Sequence, residues 1–212
     1  MIRVRKNPNA PLSLSTTQAY DGVDVLQQLE EDHHKKCYLC ERKLSTEFQV
    51  EHHKSQAHHN LKQDWNNLFW ACGYCNGKKG NRFDNMLAPA TVNIEDEIKH
   101  VMDFSQKQAS FIPIVQTDAH EETCKFLTMI HNGTKKLRQK REENFFKDVM
   151  GVVNEFYRLV SQYLSDPTEE NQALVREKLQ IDKECLGFKY WIVKSHPRLS
   201  ETFANDIVWN KR

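Results

Sequence analysis

The sequence predicts an α+β fold that is mainly α, and three observations carry that prediction. Two Cys-x-x-Cys pairs and six of the ten histidines fall between residues 33 and 82, beside short strand-like alternation. Beyond Pro89, apolar residues recur at helical spacing. Charge is also unevenly placed. Residues 33–82 hold nine Lys/Arg against four Asp/Glu, whereas the 212-residue chain has a formal net charge of only +1. The expected organisation is an N-terminal arm and helix over 1–30, a cysteine-bearing module over 31–93 and a mainly helical lobe over 94–212.

With 39% hydrophobic and 28% charged residues, a packed core is feasible and wholesale disorder is excluded. No apolar run is long enough to span a bilayer. The first eight residues, Met1-Ile-Arg-Val-Arg-Lys-Asn-Pro8, carry charge without the apolar stretch of a signal peptide. The chain reads as cytoplasmic, and in a reducing compartment paired cysteines suggest a metal rather than a disulfide.

Taken in order, residues 2–5 suggest a short strand, followed by an irregular arm with Pro8, Pro11 and a Ser/Thr run. Asp21 can cap a helix whose apolar positions are Val23, Val25, Leu26 and Leu29. Glu47-Phe-Gln-Val-Glu-His-His53 reads as a short strand, and Gly73, Gly77 and Gly80 suit tight turns. Residues 98–104 and 110–115 pair as a hairpin around Gln106-Lys-Gln108. Asp118 and Glu121 form a capping-box pattern, and Asn132-Gly133 closes that helix. A long amphipathic helix follows, with Phe145, Val149, Val152, Val153, Phe156, Leu159, Val160 and Tyr163 on its apolar stripe. Asp166-Pro167 ends it and starts the next, with Glu169 three residues after Asp166. Two shorter helices are expected around 188–192 and 203–209. The isolated Cys124 and Cys185 read as small buried hydrophobes.

The chemistry concentrates in the module. Cys37, Cys40, Cys72 and Cys75 form two knuckles with 31 residues between them. Together they offer four thiolates for a tetrahedral Zn2+ site. A closed four-thiolate site has no open coordination position, so this zinc is structural and stabilises a segment with little apolar core of its own. Between and after the knuckles lie Glu51-His52-His53, Asp64-Trp-Asn-Asn-Leu68 and Cys75-Asn-Gly-Lys-Lys-Gly80. An acidic residue followed by His, then Asn-Leu, then Cys-x-x-Cys-Asn-x-x-Lys resembles the zinc-containing HNH nuclease family, which has the ββα-metal fold.

The resemblance implies roles by position. Glu51 matches the acidic ligand of a catalytic metal, and Asn76 matches the last family position, which helps to hold that metal. His52 matches the general base. Asn67 matches the middle residue, which fixes the loop and helps to orient the base. Lys79 matches the basic residue expected to face the phosphate, with Lys78 and Arg82 beside it. A hard cation, Mg2+ or Mn2+, suits a carboxylate and an amide oxygen, and a neutral imidazole is a competent base for water near pH 7. The proline that many members carry soon after the histidine is absent from Glu51-His52-His53-Lys54-Ser55. Two adjacent histidines leave His53 as an alternative base. His58 and His59 read as exposed loop residues.

A narrower resemblance covers more of the chain. Val50-Glu51-His52, Asp64-Trp-Asn-Asn-Leu68, the second knuckle through Gly80 and Phe188-Lys-Tyr-Trp-Ile-Val-Lys194 are similar to the HNH nuclease subunit of Septu-type anti-phage systems, and to nucleases that accompany some retrons. That implies a DNA substrate and an ABC/SMC-like ATPase partner docked on the helical lobe. Gly77-Lys-Lys-Gly80 is not a nucleotide-binding P-loop, which agrees with an ATPase supplied in trans. A second basic cluster, Lys135-Lys-Leu-Arg-Gln-Lys-Arg141, sits where a helix start disfavours cations, and so suggests phosphate contact. The alternatives are a stand-alone restriction-type HNH nuclease, which needs its own sequence-reading domain, and a non-catalytic zinc-ribbon nucleic-acid-binding protein.

Overall fold

The structure is a computed structural model that describes residues 1–17, 19–43, 46–135 and 137–209. At its centre is a β-β-α unit. Strands β1 (Phe48–His52) and β2 (Leu68–Cys72) pair antiparallel, with Phe48 opposite Cys72, Glu51 opposite Phe69 and His52 opposite Leu68. At Cys72 the chain turns directly into helix α3 (Gly73–Lys79), where the Cys72 sulfur accepts from the Cys75 amide. Gly80 ends the helix at φ +50°, a conformation that costs glycine little.

The N-terminal segment departs from expectation. Residues 2–5 form no strand, because the amides that a ladder would need are taken elsewhere. Arg3 N donates to the Glu95 carboxylate (2.8 Å), and Val4 N donates to the Pro89 carbonyl (2.8 Å). A short helix, α1 (Ser13–Thr16), follows. Helix α2 (Val23–Asp32) begins after Gly22 rather than after a capping Asp21. Asp24 instead accepts from the Ser13 amide and hydroxyl and fastens the two helices together.

Beyond the unit, a short helix α4 (Ile94–Glu97) leads into the expected hairpin, β3 (Ile98–Asp103) and β4 (Gln108–Pro113). Helix α5 (Asp118–Asn132) is capped one residue earlier than predicted, by the Thr117 hydroxyl, and it closes at Gly133 with φ +80°. Helix α6 (Lys140–Ser165) starts with a Gln139–Glu142 capping box. In α7 (Glu169–Lys178) the cap is Thr168 rather than Asp166. Helix α8 (Leu186–Lys194) falls where it was predicted. The last helix, α9 (Pro197–Thr202), lies before residues 203–209, with Pro197 at its first turn. Phe203, Ile207 and Trp209 pack into the core from the turns that follow it. Among the described residues, no helix is long and apolar enough to cross a membrane.

Sequence texture changes near residue 93, but the core does not divide there. One cluster joins Cys37, Leu39, Phe69, Ala71 and Tyr74 to Phe126, Leu127, Phe145, Phe146 and Phe188. Tyr74 of α3 stacks on Phe145 of α6 (4.6 Å between centroids), and its hydroxyl donates to the Ile130 carbonyl (2.8 Å). A second cluster fills the space among α6, α7, α8 and α9, and a third lies between α1, α2 and the start of β2.

Phe126 is fully buried against Phe83, with 5.0 Å between ring centroids. Phe126→Ala is expected to cost about 3–5 kcal/mol. In urea, zinc release and far-UV circular dichroism should shift to lower concentration together. Zinc release that stays in place while the helical signal moves would show two independent cores.

Candidate functional site

The first knuckle is a tight turn held by Glu41 N donating to Cys37 O (2.8 Å) and Cys37 N donating to Arg42 O (3.1 Å). Tyr38 N donates to Trp70 O (3.0 Å) and docks this turn on β2. The second knuckle is the β2–α3 junction. Together they bring the sulfurs of Cys37, Cys40, Cys72 and Cys75 within 4.8 Å of one another, all in buried residues. A tetrahedron with metal–sulfur bonds of about 2.3 Å has edges of about 3.8 Å, and the Cys40–Cys72 sulfur separation is 3.9 Å. The four thiols therefore fit a structural zinc ion. Burial pushes the Cys40 and Cys75 thiols well above their ordinary range, whereas hydrogen bonds from Cys37, Cys40 and Cys75 pull Cys72 down.

The face of β1 turned toward α3 carries Gln49 and Glu51, two residues apart on the strand. The facing side of α3 carries Asn76 and Lys79, three apart on the helix. Asn76 Nδ2 donates to Gln49 Oε1 (2.7 Å), and the Lys79 ammonium lies 2.7 Å from Glu51 Oε1. Lys79 also donates to the His52 carbonyl (2.9 Å) and is fully buried. This corrects the expectation that Lys79 faces a phosphate. Its charge is spent inside the unit, where it offsets a carboxylate that burial alone drives toward protonation. Burial raises the Glu51 pKa, and Lys79 acts against that shift. Gln49 was missed in the sequence, although strand alternation from Glu51 points to it.

The oxygens available between β1 and α3 are of the hard type. Glu51 supplies a carboxylate, and the Asn76 amide oxygen is not the atom used in its bond to Gln49. Such a pair fits Mg2+ or Mn2+, which take few protein oxygens and keep several waters. Among the described residues, the four cysteines are the group of three or more His, Cys, Asp or Glu side chains close enough to hold an ion on their own.

His52 and His53 lie on opposite sides of the strand end and are almost equally covered, at 3% and 4% exposure, so burial does not choose between them. Their nitrogens differ. His52 Nε2 donates to the Lys62 carbonyl (3.0 Å), which fixes the proton there and leaves a lone pair on Nδ1. That Nδ1 faces the exposed Gln56 amide at 3.4 Å, under the edge of Tyr20. His53 Nε2 donates to the Met86 carbonyl (3.1 Å), and its Nδ1 is buried with no partner. Burial lowers both pKa values, that of His53 to about 4. The free nitrogen of His52 thus points toward a surface turn, and that of His53 into the core.

Asn67 organises that turn. Its Oδ1 accepts from Lys54 N (2.6 Å), and its Nδ2 donates to the Lys54 and Leu61 carbonyls (2.9 and 3.1 Å). His53 N donates to the Asn67 carbonyl (2.8 Å). Lys78 pairs with Glu142 of α6 (2.5 Å), while Arg82 is exposed. In the basic cluster, Arg138 is consumed internally. It donates to the His131 and Lys107 carbonyls and lies 3.7 Å over the Phe146 ring. Lys135, Lys140 and Arg141 are exposed, with Arg141 over Tyr74 of α3 (5.6 Å). Lys136 lies outside the described residues.

A family model for HNH endonucleases matches residues 37–82, the span from the first thiol ligand to Arg82. No match was found to a curated protein or to a solved structure. The family match and the four-cysteine cluster together support a metal-dependent nuclease with a β-β-α metal-binding unit.

Purified protein is expected to carry one zinc per chain by elemental analysis, and Cys75→Ser should lose most of it. Zinc binding needs deprotonated thiols, and burial holds the Cys40 and Cys75 protons on. Acidification should therefore release zinc, and raising the pH should restore it. Full zinc occupancy in Cys75→Ser would argue against a four-thiolate site.

Proposed function

We propose that this chain is an endonuclease that hydrolyses phosphodiester bonds of DNA with Mg2+ or Mn2+. We further propose that it acts as the nuclease effector of an anti-phage assembly gated by an ABC/SMC-like ATPase. The observation that carries the nuclease reading is the side-chain lattice Gln49–Asn76 and Glu51–Lys79 between β1 and α3, within the segment that matches the HNH family. When bound, the divalent ion supplies charge neutralisation at the phosphate and the departing oxygen.

The remaining work falls to the chain. Glu51 and the Asn76 oxygen would hold the ion, and Lys79 opposes the rise that burial gives the Glu51 pKa. His52 is neutral because burial lowers its pKa, and the Lys62 carbonyl holds its tautomer. Its Nδ1 takes a proton from water once the weakly held Gln56 amide moves aside. Asn67 fixes the turn that carries Gln56 and so sets the approach to that nitrogen. His53 is better suited to the core, since its free nitrogen is sealed from solvent. Arg141, over Tyr74 of α3, and Arg82, bonded to the Lys78 carbonyl, would guide a phosphate backbone, with the exposed Lys135 and Lys140 extending the same basic cluster. Support for the defence role comes from the Septu-like sequence pattern. A docking face in the helical lobe is favoured by Ile112, Ile114 and Val115, which are about half exposed.

The buried Lys79–Glu51 pair also favours a second reading, a zinc module that binds nucleic acid without cutting it. Plasmid nicking with Mg2+ or Mn2+ decides between them. Wild-type protein should nick, and His52→Ala should be slower by roughly 10²–10⁴. A folded His52→Ala that cuts like wild type would move the base to His53, and a wild type that binds without cutting would favour the second reading. Reversing Lys135, Lys140 and Arg141 to Glu should weaken DNA binding and reduce its salt dependence by about one unit of slope per lost phosphate contact. An unchanged slope would remove the cluster from the interface. Co-purification from the native operon tests the ATPase, which should be retained on the nuclease.

A further inference from the structure

The turn that follows β1 is built around a carboxylate the sequence did not single out. Asp84 lies on the segment after α3. Its Oδ1 accepts from Ser55 N (2.9 Å), its Oδ2 accepts from the Ser55 hydroxyl (2.7 Å), and its carbonyl accepts from the Lys54 ammonium. The fourth partner is His58, whose Nε2 lies 3.2 Å from Asp84 Oδ2. His58 N donates to Ser55 O (3.0 Å), so the imidazole and the serine are held as one turn. The platform beneath is firm, because Asn85 N donates to Glu122 (2.8 Å) and Leu87 N donates to Thr123 (2.9 Å), both on α5.

This pair sits beside the nuclease groups. Two residues before His58, on the same turn, Gln56 meets Nδ1 of His52. Asp84 is close enough to raise the Glu51 pKa and to have its own lowered by Lys79. His58 and His52 nevertheless differ in setting. The His52 ring is covered, whereas the His58 side chain is 48% exposed. The carboxylate on Nε2 fixes the ring and leaves the other nitrogen, Nδ1, free to face a substrate and to donate a proton from the protonated ring.

Resting on the nuclease reading above, we propose that His58, oriented by Asp84, is the proton donor to the departing 3′ oxygen. A water oxygen bonds to phosphorus as His52 Nδ1 takes its proton. The bond from phosphorus to the 3′ oxygen breaks, and its electron pair stays on that oxygen, which receives the Nδ1 proton of the His58 imidazolium. His52 then releases a proton to solvent and His58 regains one, so the net reaction is hydrolysis. Asp84 is a positioning residue.

The test compares two oligonucleotides in single-turnover cleavage by the zinc-loaded protein. One is ordinary DNA, and the other has sulfur in place of the bridging 3′ oxygen at the mapped cut. A thiolate leaves without needing a proton. His58→Ala should slow the oxygen substrate by roughly 10²–10⁴ and cut the sulfur substrate at near the wild-type rate, while His52→Ala should fail on both. Asp84→Asn, which keeps an acceptor for Ser55, should follow the His58→Ala pattern more mildly. Equal loss on both substrates in a folded His58→Ala, or no loss on either, overturns the proposal. If the wild type cuts neither substrate, the nuclease reading fails and this proposal falls with it.

Discussion

The four thiols at the base of the β-β-α unit are the constraint on which the rest depends. The unit is short. Its two strands are five residues each, its helix is seven, and the loop between the strands is longer than either. A two-stranded ribbon of that size does not hold itself together in water. A metal bridging both knuckles would fix the start of α3 against β2 and the turn before β1. The register of β1 on β2 then decides which side chains face the helix. A one-residue slip would exchange Glu51 for His52 on that face.

The second support is the shared core. Tyr74 and Phe83, on and just after α3, are packed by Phe145 of α6 and Phe126 of α5. The helical lobe therefore forms the outer wall of the β-β-α unit and does more than append a separate body to it. This explains how a costly polar arrangement survives in the interior. A buried ammonium and carboxylate gain little net stability from pairing, yet losing either partner alone is costly, about 3–5 kcal/mol. Lys79 and Glu51 thus give specificity to the β1–α3 contact more than strength. Glu142 shows the same logic at the next junction. It caps α6, accepts from Lys78 and fills the space beside Gly133, where a side chain would collide with it.

Much of this was legible in the sequence, and the limits have physical causes. The cysteine spacing identified the cluster because two knuckles admit few other uses. The long α6 and the β3–β4 hairpin followed from periodicity and turn residues. Helix starts were misplaced by one or two residues at α2, α5 and α7, since Gly22, Thr117 and Thr168 stand within two residues of the acids Asp21, Asp118 and Asp166, which look like equally good caps. The strand expected at residues 2–5 failed for a different reason. Local composition cannot reveal that Glu95 and Pro89 would claim those amides. At the site, residue types were legible but directions were not. Lys79 reads as a surface lysine by type, and only the distance to Glu51 shows that it points inward.

The N-terminal arm closes the argument about placement. The Lys6 ammonium is donated to the carbonyls of Trp65 and Leu68 and lies 3.6 Å over the Trp65 ring, where burial lowers its pKa to about 7. The Trp65 indole in turn donates to the Asn7 carbonyl (2.8 Å). These contacts bracket the turn Trp65–Asn67, and Asn67 holds the Lys54 and Leu61 carbonyls that shape the approach to His52. A segment about sixty residues away in sequence is therefore part of what holds the turn beside His52. Metal, helical lobe and arm each fix a different edge of the same small unit. That division is physically reasonable for a site built largely on a loop. A loop has too few internal contacts to hold geometry to a fraction of an ångström, so each edge must be anchored from outside.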